Sequence, residues 1–174
     1  MQTLRRLYAR LKLRVNEAKS AVARPWHRKF LGYSFWVAPG RAIKRRVSVK
    51  ALKAMKQRVR EITNRNGGRS MRTVLAELRS YLAGWKAYFR LAETPRVFAE
   101  LDEWIRHRLR MVQLKQWKRP RTIYREMRRL EANEEAVLRV AGQSRRWRRS
   151  SAMLLNTALP TSYYDEAGVP RLAA

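Results

Sequence analysis

The chain contains no cysteine and only two histidines, His27 and His107. Disulfide bonds and cysteine-based zinc sites are therefore excluded. A metal site built on the two histidines would need several carboxylates, but the first 60 residues contain Glu17 as their only acid. No apolar run approaches the roughly 18 residues or more of a membrane span. We expect a cytoplasmic protein with no metal site and no membrane partner.

Acidic residues are scarce throughout: 13 stand against 41 lysines and arginines, which leaves a formal net charge of +28 on 174 residues. A folded domain this basic repels itself unless something anionic covers it, and the excess is typical of nucleic-acid-binding proteins. Disordered basic tails lack aromatic and large aliphatic residues, whereas this chain has six Trp and seven Tyr. The composition therefore predicts a folded protein with a polyanionic partner.

The spacing of apolar residues predicts a mainly α-helical bundle preceded by a short helix and a small antiparallel β-hairpin. Residues 4–13 have a helical spacing. Residues 13–16 alternate, as do residues 30–37 around Gly32, which favours a hairpin or meander. The segment 39–47 contains Pro39, Gly40 and four basic residues and is interpreted as a hinge.

Three longer helices follow, and each has a residue suited to cap its N-terminus. Ser48 and Ser70 are N-cap candidates, and Thr94 followed by Pro95 forms an N-cap and N1 pair. Gly84 lies inside the second of these helices, where it costs about 1 kcal/mol relative to alanine, so we expect another helix to approach it closely. A short helix is predicted near 133–140, and an irregular arm from residue 160.

Several stretches resemble the group II intron reverse transcriptases. Residues 16–20 (Asn-Glu-Ala-Lys-Ser) and 30–35 (Phe-Leu-Gly-Tyr-Ser-Phe) resemble the last part of the palm in these enzymes. Residues 78–90 (Leu-Arg-Ser-Tyr-Leu-Ala-Gly-Trp-Lys-Ala-Tyr-Phe-Arg) resemble the signature of the maturase-specific or X domain, which is their thumb. The match continues through Thr94-Pro95, Asp102, Trp104, Ile105 and Trp117-Lys118-Arg119, and ends with Leu159-Pro160, Tyr164 and Gly168.

The resemblance implies a division of the chain into four parts. Residues 1–38 would be a remnant of the palm, 39–47 a basic hinge, 48–159 the X or thumb domain, and 160–174 an irregular C-terminal arm. The chain would then correspond to the C-terminal part of a reverse transcriptase encoded by a mobile element.

The polymerase motif of the family is a Tyr-Ala-Asp-Asp sequence whose aspartates hold two magnesium ions. Two-metal phosphoryl transfer needs clustered carboxylates, and the N-terminal third of this chain has Glu17 alone. Residues 163–166 (Tyr-Tyr-Asp-Glu) are the nearest literal counterpart, but they lack a strand pattern. We therefore predict no catalytic residue and no cofactor. By the resemblance, Mg²⁺ is expected only for a complete polymerase or for the intron RNA.

The candidate phosphate-binding residues lie in runs that are almost free of acids, whereas an ordinary solvated helix carries both signs of charge. Trp117 and Trp147 stand among these cations, where a ring either stacks on an unpaired base or packs in the core. The candidate RNA-binding residues, cations and tryptophans together, are Lys44, Arg45, Arg46, Lys50, Lys53, Lys56, Trp117, Lys118, Arg119, Arg121, Arg125, Arg128, Arg129, Arg145, Arg146, Trp147 and Arg148.

The resemblance also assigns roles within the palm remnant. Phe30, Leu31 and Gly32 would lie in the hairpin that supports the primer terminus, as a primer grip does. Asn16 and Lys19 would belong to a palm motif near the incoming nucleotide. Lys19 is equally compatible with a solvated turn.

The first hypothesis is an RNA-binding maturase domain that helps a group II intron RNA to fold and splice, with no polymerase activity of its own. The second is the thumb of a split or truncated RNA-directed DNA polymerase that works with a separate palm and fingers polypeptide and binds DNA or an RNA–DNA duplex. Two further alternatives are a generic basic nucleic-acid-binding protein and a relic of a degraded mobile element.

Overall fold

The computed structural model describes residues 2–16, 20, 22–143 and 155–173. These residues are mainly helical and include one small antiparallel sheet, which confirms the predicted fold class. The helices are α1 (Gln2–Arg10), α2 (Val49–Ile62), α3 (Met71–Tyr88), α4 (Pro95–Trp117), α5 (Pro120–Arg129), α6 (Glu134–Gly142), α7 (Leu155–Ala158) and α8 (Thr161–Glu166). The strands are β1 (Lys29–Phe30), β2 (Tyr33–Val37) and β3 (Ile43–Val47), and short 3₁₀ turns occupy Pro25–His27 and Pro39–Arg41.

Two of the three predicted N-caps are confirmed by their hydrogen bonds. The Ser48 hydroxyl accepts from the Ala51 amide at 3.3 Å, and the Ser70 hydroxyl accepts from the Thr73 amide at 3.1 Å. Thr94 stands at the N-cap of α4, but its side chain makes no capping bond and its Oγ1 is buried without a hydrogen-bond partner in the described structure. Pro95, whose ring fixes φ near the helical value, starts α4 instead.

The hydrophobic core joins α2, α3 and α4 to the shorter helices that follow them. Met55, Ile62, Leu78, Leu82 and Ile105 are at most 1% exposed and belong to one continuous cluster. The expectation of a close helix approach at Gly84 is wrong, because a Cβ added there would meet no atom within 4 Å. Among the described residues, no helix is long and apolar enough to cross a membrane.

The sheet has the order β1-β2-β3, and both strand pairs are antiparallel. Tyr33 pairs with Val47 and Val37 pairs with Ile43, so β3 pairs with β2 along its whole length. The prediction of a hinge over 39–47 is therefore wrong for 43–47, where ladder hydrogen bonds to β2 outweigh the charge of the basic residues. The alternation over 13–16 does not form a strand.

The segment after Pro160 is not an irregular arm throughout, as was predicted. It contains α8, and Tyr164, Val169 and Leu172 are at most 3% exposed within the core. The prediction failed because these apolar residues pack against α4, which is distant in sequence and invisible to a local pattern. The C-terminal segment is thus an integral part of the helical unit.

Candidate nucleic-acid interface

The first predicted basic run lies on β3 and at the start of α2. Arg45 donates to Glu93 Oε2 from its backbone nitrogen at 3.0 Å and from Nε at 3.3 Å. The backbone hydrogen bond from Arg45 is the main cause of the lowered pKa of Glu93. Loss of solvation opposes it, but the side-chain hydrogen bond from Arg45 and the positive charges of Arg45 and Lys44 keep the pKa below its ordinary value. Arg46 Nε donates to Ser34 Oγ at 3.2 Å. Two of these candidate cations therefore already have partners within the fold.

Lys50 and Lys53 are exposed on α2 and form no ion pair within the described part of the chain. Lys56, one turn further on, lies beside the indole of Trp104 on α4. Its Nζ is 5.8 Å from the ring centroid, and the Arg60 guanidinium carbon is 5.6 Å from it. Such cation–π contacts contribute about 0.5–1 kcal/mol at exposed sites. Trp104 also packs against the hydrophobic core, and Arg60 is not among the cations that the sequence singled out.

The second basic run forms the outer side of α5. Ile123 and Met127 bury the inner side of this helix, whereas Arg121, Arg125 and Arg128 are exposed. Their spacing of three and four residues places the three arginines on one face of the helix. Tyr124 lies within that face and is 37% exposed. An aromatic ring set among cations is suited to contacts with phosphates and an unpaired base.

Glu126 is the acid that moderates the charge of α5. It forms ion pairs with Arg125 at 3.0 Å and with Arg129 at 3.6 Å. Exposed pairs of this kind contribute about 0–1 kcal/mol, so both arginines can exchange Glu126 for a phosphate at little cost. Arg121 and Arg128 form no ion pair among the described residues.

Trp117 lies at the end of α4, and its position there favours core packing over stacking on a base. The ring is half-buried and packs against the hydrophobic core, so packing is its observed role. Lys118 and Arg119, which connect α4 to α5, are exposed. Arg145, Arg146, Trp147, Arg148 and Lys19 lie outside the described residues, and Asn16 is exposed.

The tip of the β1–β2 hairpin presents two apolar side chains to solvent. Phe30 is 65% exposed and Leu31 is 66% exposed. Leu31 and Gly32 form the turn with φ values of +48° and +79°, a backbone conformation that favours glycine. A Cβ at Gly32 would lie 3.1 Å from Phe89 Cζ, so the absence of a side chain also permits close packing on α3.

Two tyrosines fix this hairpin to the C-terminal end of α3. The Tyr33 hydroxyl donates to the Tyr88 carbonyl at 2.6 Å, and the Tyr88 hydroxyl donates to the Leu31 carbonyl at 3.0 Å. The Ser48 amide donates to the Gly32 carbonyl at 2.8 Å. The predicted primer-grip-like residues are therefore held at a fixed position relative to the helical unit.

A buried charge network that sequence reasoning missed attaches the C-terminal segment to α4. Arg106 is 0% exposed and donates to Asp165 at 2.7 Å, to Asp102 at 3.3 Å and to the Val169 carbonyl at 3.1 Å. Asp102 also accepts from the Leu172 amide at 2.9 Å. Burial raises the pKa of Asp165, but hydrogen bonds from Arg171 and Arg106 outweigh it, and the pKa lies below its ordinary value. Asp165 belongs to the Tyr-Tyr-Asp-Glu sequence at 163–166, and it thus has a structural partner in Arg106.

The described residues contain no group of three or more His, Asp or Glu side chains that could hold a metal ion. The arrangement offers exposed cations and aromatic rings, which are suited to contacts with an anionic polymer.

The family described as group II intron, maturase-specific domain matches residues 52–130. This range begins at the fourth residue of α2 and ends just after α5. It includes the signature at 78–90 and the Trp117-Lys118-Arg119 sequence on which the resemblance depended. No curated protein matches the chain significantly. Residues 52–130 therefore match the group II intron maturase-specific domain family, which confirms the sequence resemblance over this range.

Proposed function

We propose that this chain binds a group II intron RNA and helps it to reach its splicing-competent fold, with no polymerase chemistry of its own. The match of residues 52–130 to the group II intron maturase-specific domain family supports a group II intron RNA as the partner. The sequence contains no clustered carboxylates in its first third, so the chemistry would belong to the intron.

One observation carries the proposal: the matched domain holds cations that no acid of the described chain neutralises. Lys53, Arg119, Arg121 and Arg128 are exposed and form no ion pair there. Unpaired cations on one face bind phosphates and release the counterions of the nucleic acid, which makes affinity depend on salt. Arginine adds paired hydrogen bonds to phosphate oxygens, which a lysine does not provide in the same geometry.

In this mechanism the protein neutralises phosphates where intron helices come together. The exposed face of α5 would lie against one RNA backbone, with Tyr124 beside an unpaired base. The start of α2, with Lys50 and Lys53, would contact another backbone. The fixed angle between the two helices would then favour one arrangement of the RNA helices over others.

The test is filter binding of the purified chain to a folded group II intron RNA from the same genome, with excess transfer RNA and duplex DNA as competitors. The variant Arg121→Gln/Arg128→Gln should weaken binding and lower the log–log salt slope by about 2. The control Arg72→Gln/Arg96→Gln removes the same charge from outside the proposed surface and should leave the slope unchanged. Binding that the competitors abolish, or equal effects of the two double variants, would contradict the proposal.

The fixed hairpin favours a second candidate, the thumb of a split RNA-directed DNA polymerase. Phe30 and Leu31 are exposed at a tip that α3 holds in place, which is the arrangement a primer-supporting hairpin needs. In this case the partners would be a separate palm and fingers polypeptide and an RNA–DNA duplex. Mixing the chain with an upstream fragment that carries the missing aspartates should restore primer extension, and no extension at any ratio of the two would rule this candidate out.

A further inference from the structure

A cleft of about 950 Å³ lies along α4, between the C-terminal end of α2 and residues 156–161. Its lining includes Arg60 from α2, Trp104 from α4, and Asn156 and Thr161 from the C-terminal segment. None of these four residues was singled out as a candidate binding residue by the sequence. The volume lies near the upper end of the range for ligand pockets, about 300–1,000 Å³.

Two arginines that line this cleft are withdrawn from solvent without a carboxylate partner among the described residues. Arg110 is 5% exposed and donates to the Leu159 carbonyl at 2.9 Å and to Asn156 Oδ1 at 2.5 Å. Arg108 is half-buried and donates to Thr63 Oγ1 at 2.9 Å and to the Thr63 carbonyl at 3.0 Å. Their hydrogen bonds are thus made to neutral oxygens.

Burial lowers the pKa of both guanidinium groups below its ordinary value, and the positive charges of Arg60 and Arg65 lower that of Arg108 further. Arginine does not lose its proton in proteins, so these sites hold positive charge in an environment that disfavours it. A charge withdrawn from water is costly unless an opposite charge accompanies it. An anion in the cleft would supply that missing charge.

The acids near the cleft lie at its other end. Glu100 forms an ion pair with Arg96 at 3.2 Å, and Glu103 precedes Arg110 by seven residues. At about 1.5 Å of rise per residue, Glu103 lies about 10 Å along α4 from Arg110. Arg106, which also lines the cleft, is neutralised by the two aspartates described above. The end of the cleft with Arg108 and Arg110 therefore keeps a net positive charge.

We propose that this cleft is a subsite for an unpaired stretch of RNA, with phosphates at Arg60, Arg108 and Arg110 and a base beside Trp104. The inference rests on the proposed function and specifies which kind of RNA structure the cleft binds. An unpaired strand can turn its bases onto an aromatic ring while its phosphates meet cations. An RNA duplex keeps its bases stacked inside, and proteins recognise it across its wide, shallow groove. A cleft of this size is too small to take a duplex.

Two variants one residue apart test the site. Thr161→Glu places a carboxylate in the cleft wall, whereas Ser162→Glu places it on the exposed neighbouring residue outside the lining. Both positions lie in the first turn of α8, where negative charge suits the helix dipole, so both variants should fold. Arg60→Gln removes one cation from the wall and leaves the arginine hydrogen bonds of Arg108 and Arg110 intact.

The probe is a single-stranded uridine octanucleotide, compared with an RNA duplex of the same length. Thr161→Glu should weaken octanucleotide binding about tenfold, because like charges would meet in a confined site, and Arg60→Gln should lower the salt slope by about 1. Ser162→Glu should bind as the wild type does. In the ¹H–¹⁵N spectrum, the indole signal of Trp104, assigned with Trp104→Phe, should shift on adding the octanucleotide.

Equal affinities for Thr161→Glu and Ser162→Glu, or a Trp104 signal that does not move while other indole signals do, would overturn the cleft assignment. These outcomes leave the proposed function standing if the wild type still binds intron RNA against competitors. If the wild type fails that competition while the octanucleotide moves the Trp104 signal, the cleft is a general single-strand site and the intron-specific function fails instead.

Discussion

Replacing Asp102 by alanine should destabilise the protein by about 3 kcal/mol. The carboxylate accepts from the Leu172 amide through both oxygens, at 3.0 and 2.9 Å, from the Ala173 amide at 3.0 Å, and from Arg106 at 3.3 Å. Hydrogen bonds to charged groups contribute about 1.5–3 kcal/mol each, and breaking a buried ion pair costs about 3–5 kcal/mol. Arg106 keeps Asp165 as a partner, so the lower end of that range applies.

The assay is urea unfolding followed by far-ultraviolet circular dichroism, together with a thermal melt. For a chain of this length, 3 kcal/mol corresponds to a fall of about 6–12 °C in Tm. Glu103→Ala removes the neighbouring acid, which is exposed, and should change the free energy of unfolding by less than about 0.5 kcal/mol.

A truncation after Pro170 separates the role of Asp102 in holding the C-terminal segment from a general effect on α4. Because the truncation removes the amides of Leu172 and Ala173, Asp102→Ala should cost much less in the truncated chain than in the full one. If the two changes add, or if Asp102→Ala alone costs under about 1 kcal/mol, Asp102 does not hold the segment and the reasoning is refuted.

Three further perturbations follow from particular contacts. Gly32→Ala should lower the free energy of unfolding by at least about 1–2 kcal/mol, because the turn has φ of +79° and the new Cβ would lie 3.1 Å from Phe89; an unchanged urea midpoint would contradict this. Gly84→Ala should raise the free energy of unfolding by about 1 kcal/mol, because nothing lies within 4 Å of the added methyl group; a destabilised variant would mean that a neighbour occupies that space. The pKa values of Asp165 and Glu93 are lowered in the folded protein, so the stabilisation that these two carboxylates give to the folded state is complete above their ordinary pKa values near 4 and is lost as the pH falls further. Urea midpoints measured from pH 6 to pH 2.5 should therefore decrease below about pH 4. A flat profile would count against both networks.

The parts of the fold that could be predicted from the sequence are those that depend on near neighbours. Ser48 and Ser70 cap their helices through amides three residues away, and the apolar stripe of α3 repeats at the helical period. Signals of this kind are complete within a few residues, so a single sequence contains them. The fold class followed from them.

The parts that failed depend on partners distant along the chain. β3 is a strand because β2 pairs with it, and Arg45 at its centre is held by Glu93, 48 residues away. Arg106 is buried in the middle of α4 because it pairs with Asp165, which lies 59 residues further along the chain. The cleft is likewise lined by residues far apart in the sequence, such as Arg60 on α2 and Thr161 at the start of α8, so no local pattern could indicate it.

Besides the arginines that pair with carboxylates, the described structure contains two groups of arginines that composition alone cannot separate. One group holds backbone carbonyls across the fold: Arg69 donates to the Ile62 carbonyl at 2.6 Å, Arg79 to the Ala167 carbonyl at 2.6 Å, and Arg108 to the Thr63 carbonyl at 3.0 Å. The planar fork of arginine can bind several oxygens at once, which a lysine ammonium does not do in the same geometry.

The other group, which includes Arg121 and Arg128, is exposed on α5 and contacts no acid in the described structure. The high net charge therefore overstates the number of cations free to meet a phosphate, since part of it is used to join helix ends and the C-terminal segment. This division also explains how so basic a chain folds: carbonyl oxygens, which carry no charge, replace many of the carboxylates it lacks. Exposed cations that form no ion pair among the described residues lie on α2 and α5, at Lys50, Lys53, Arg121 and Arg128, and these are the positions where the proposed RNA contacts can be tested.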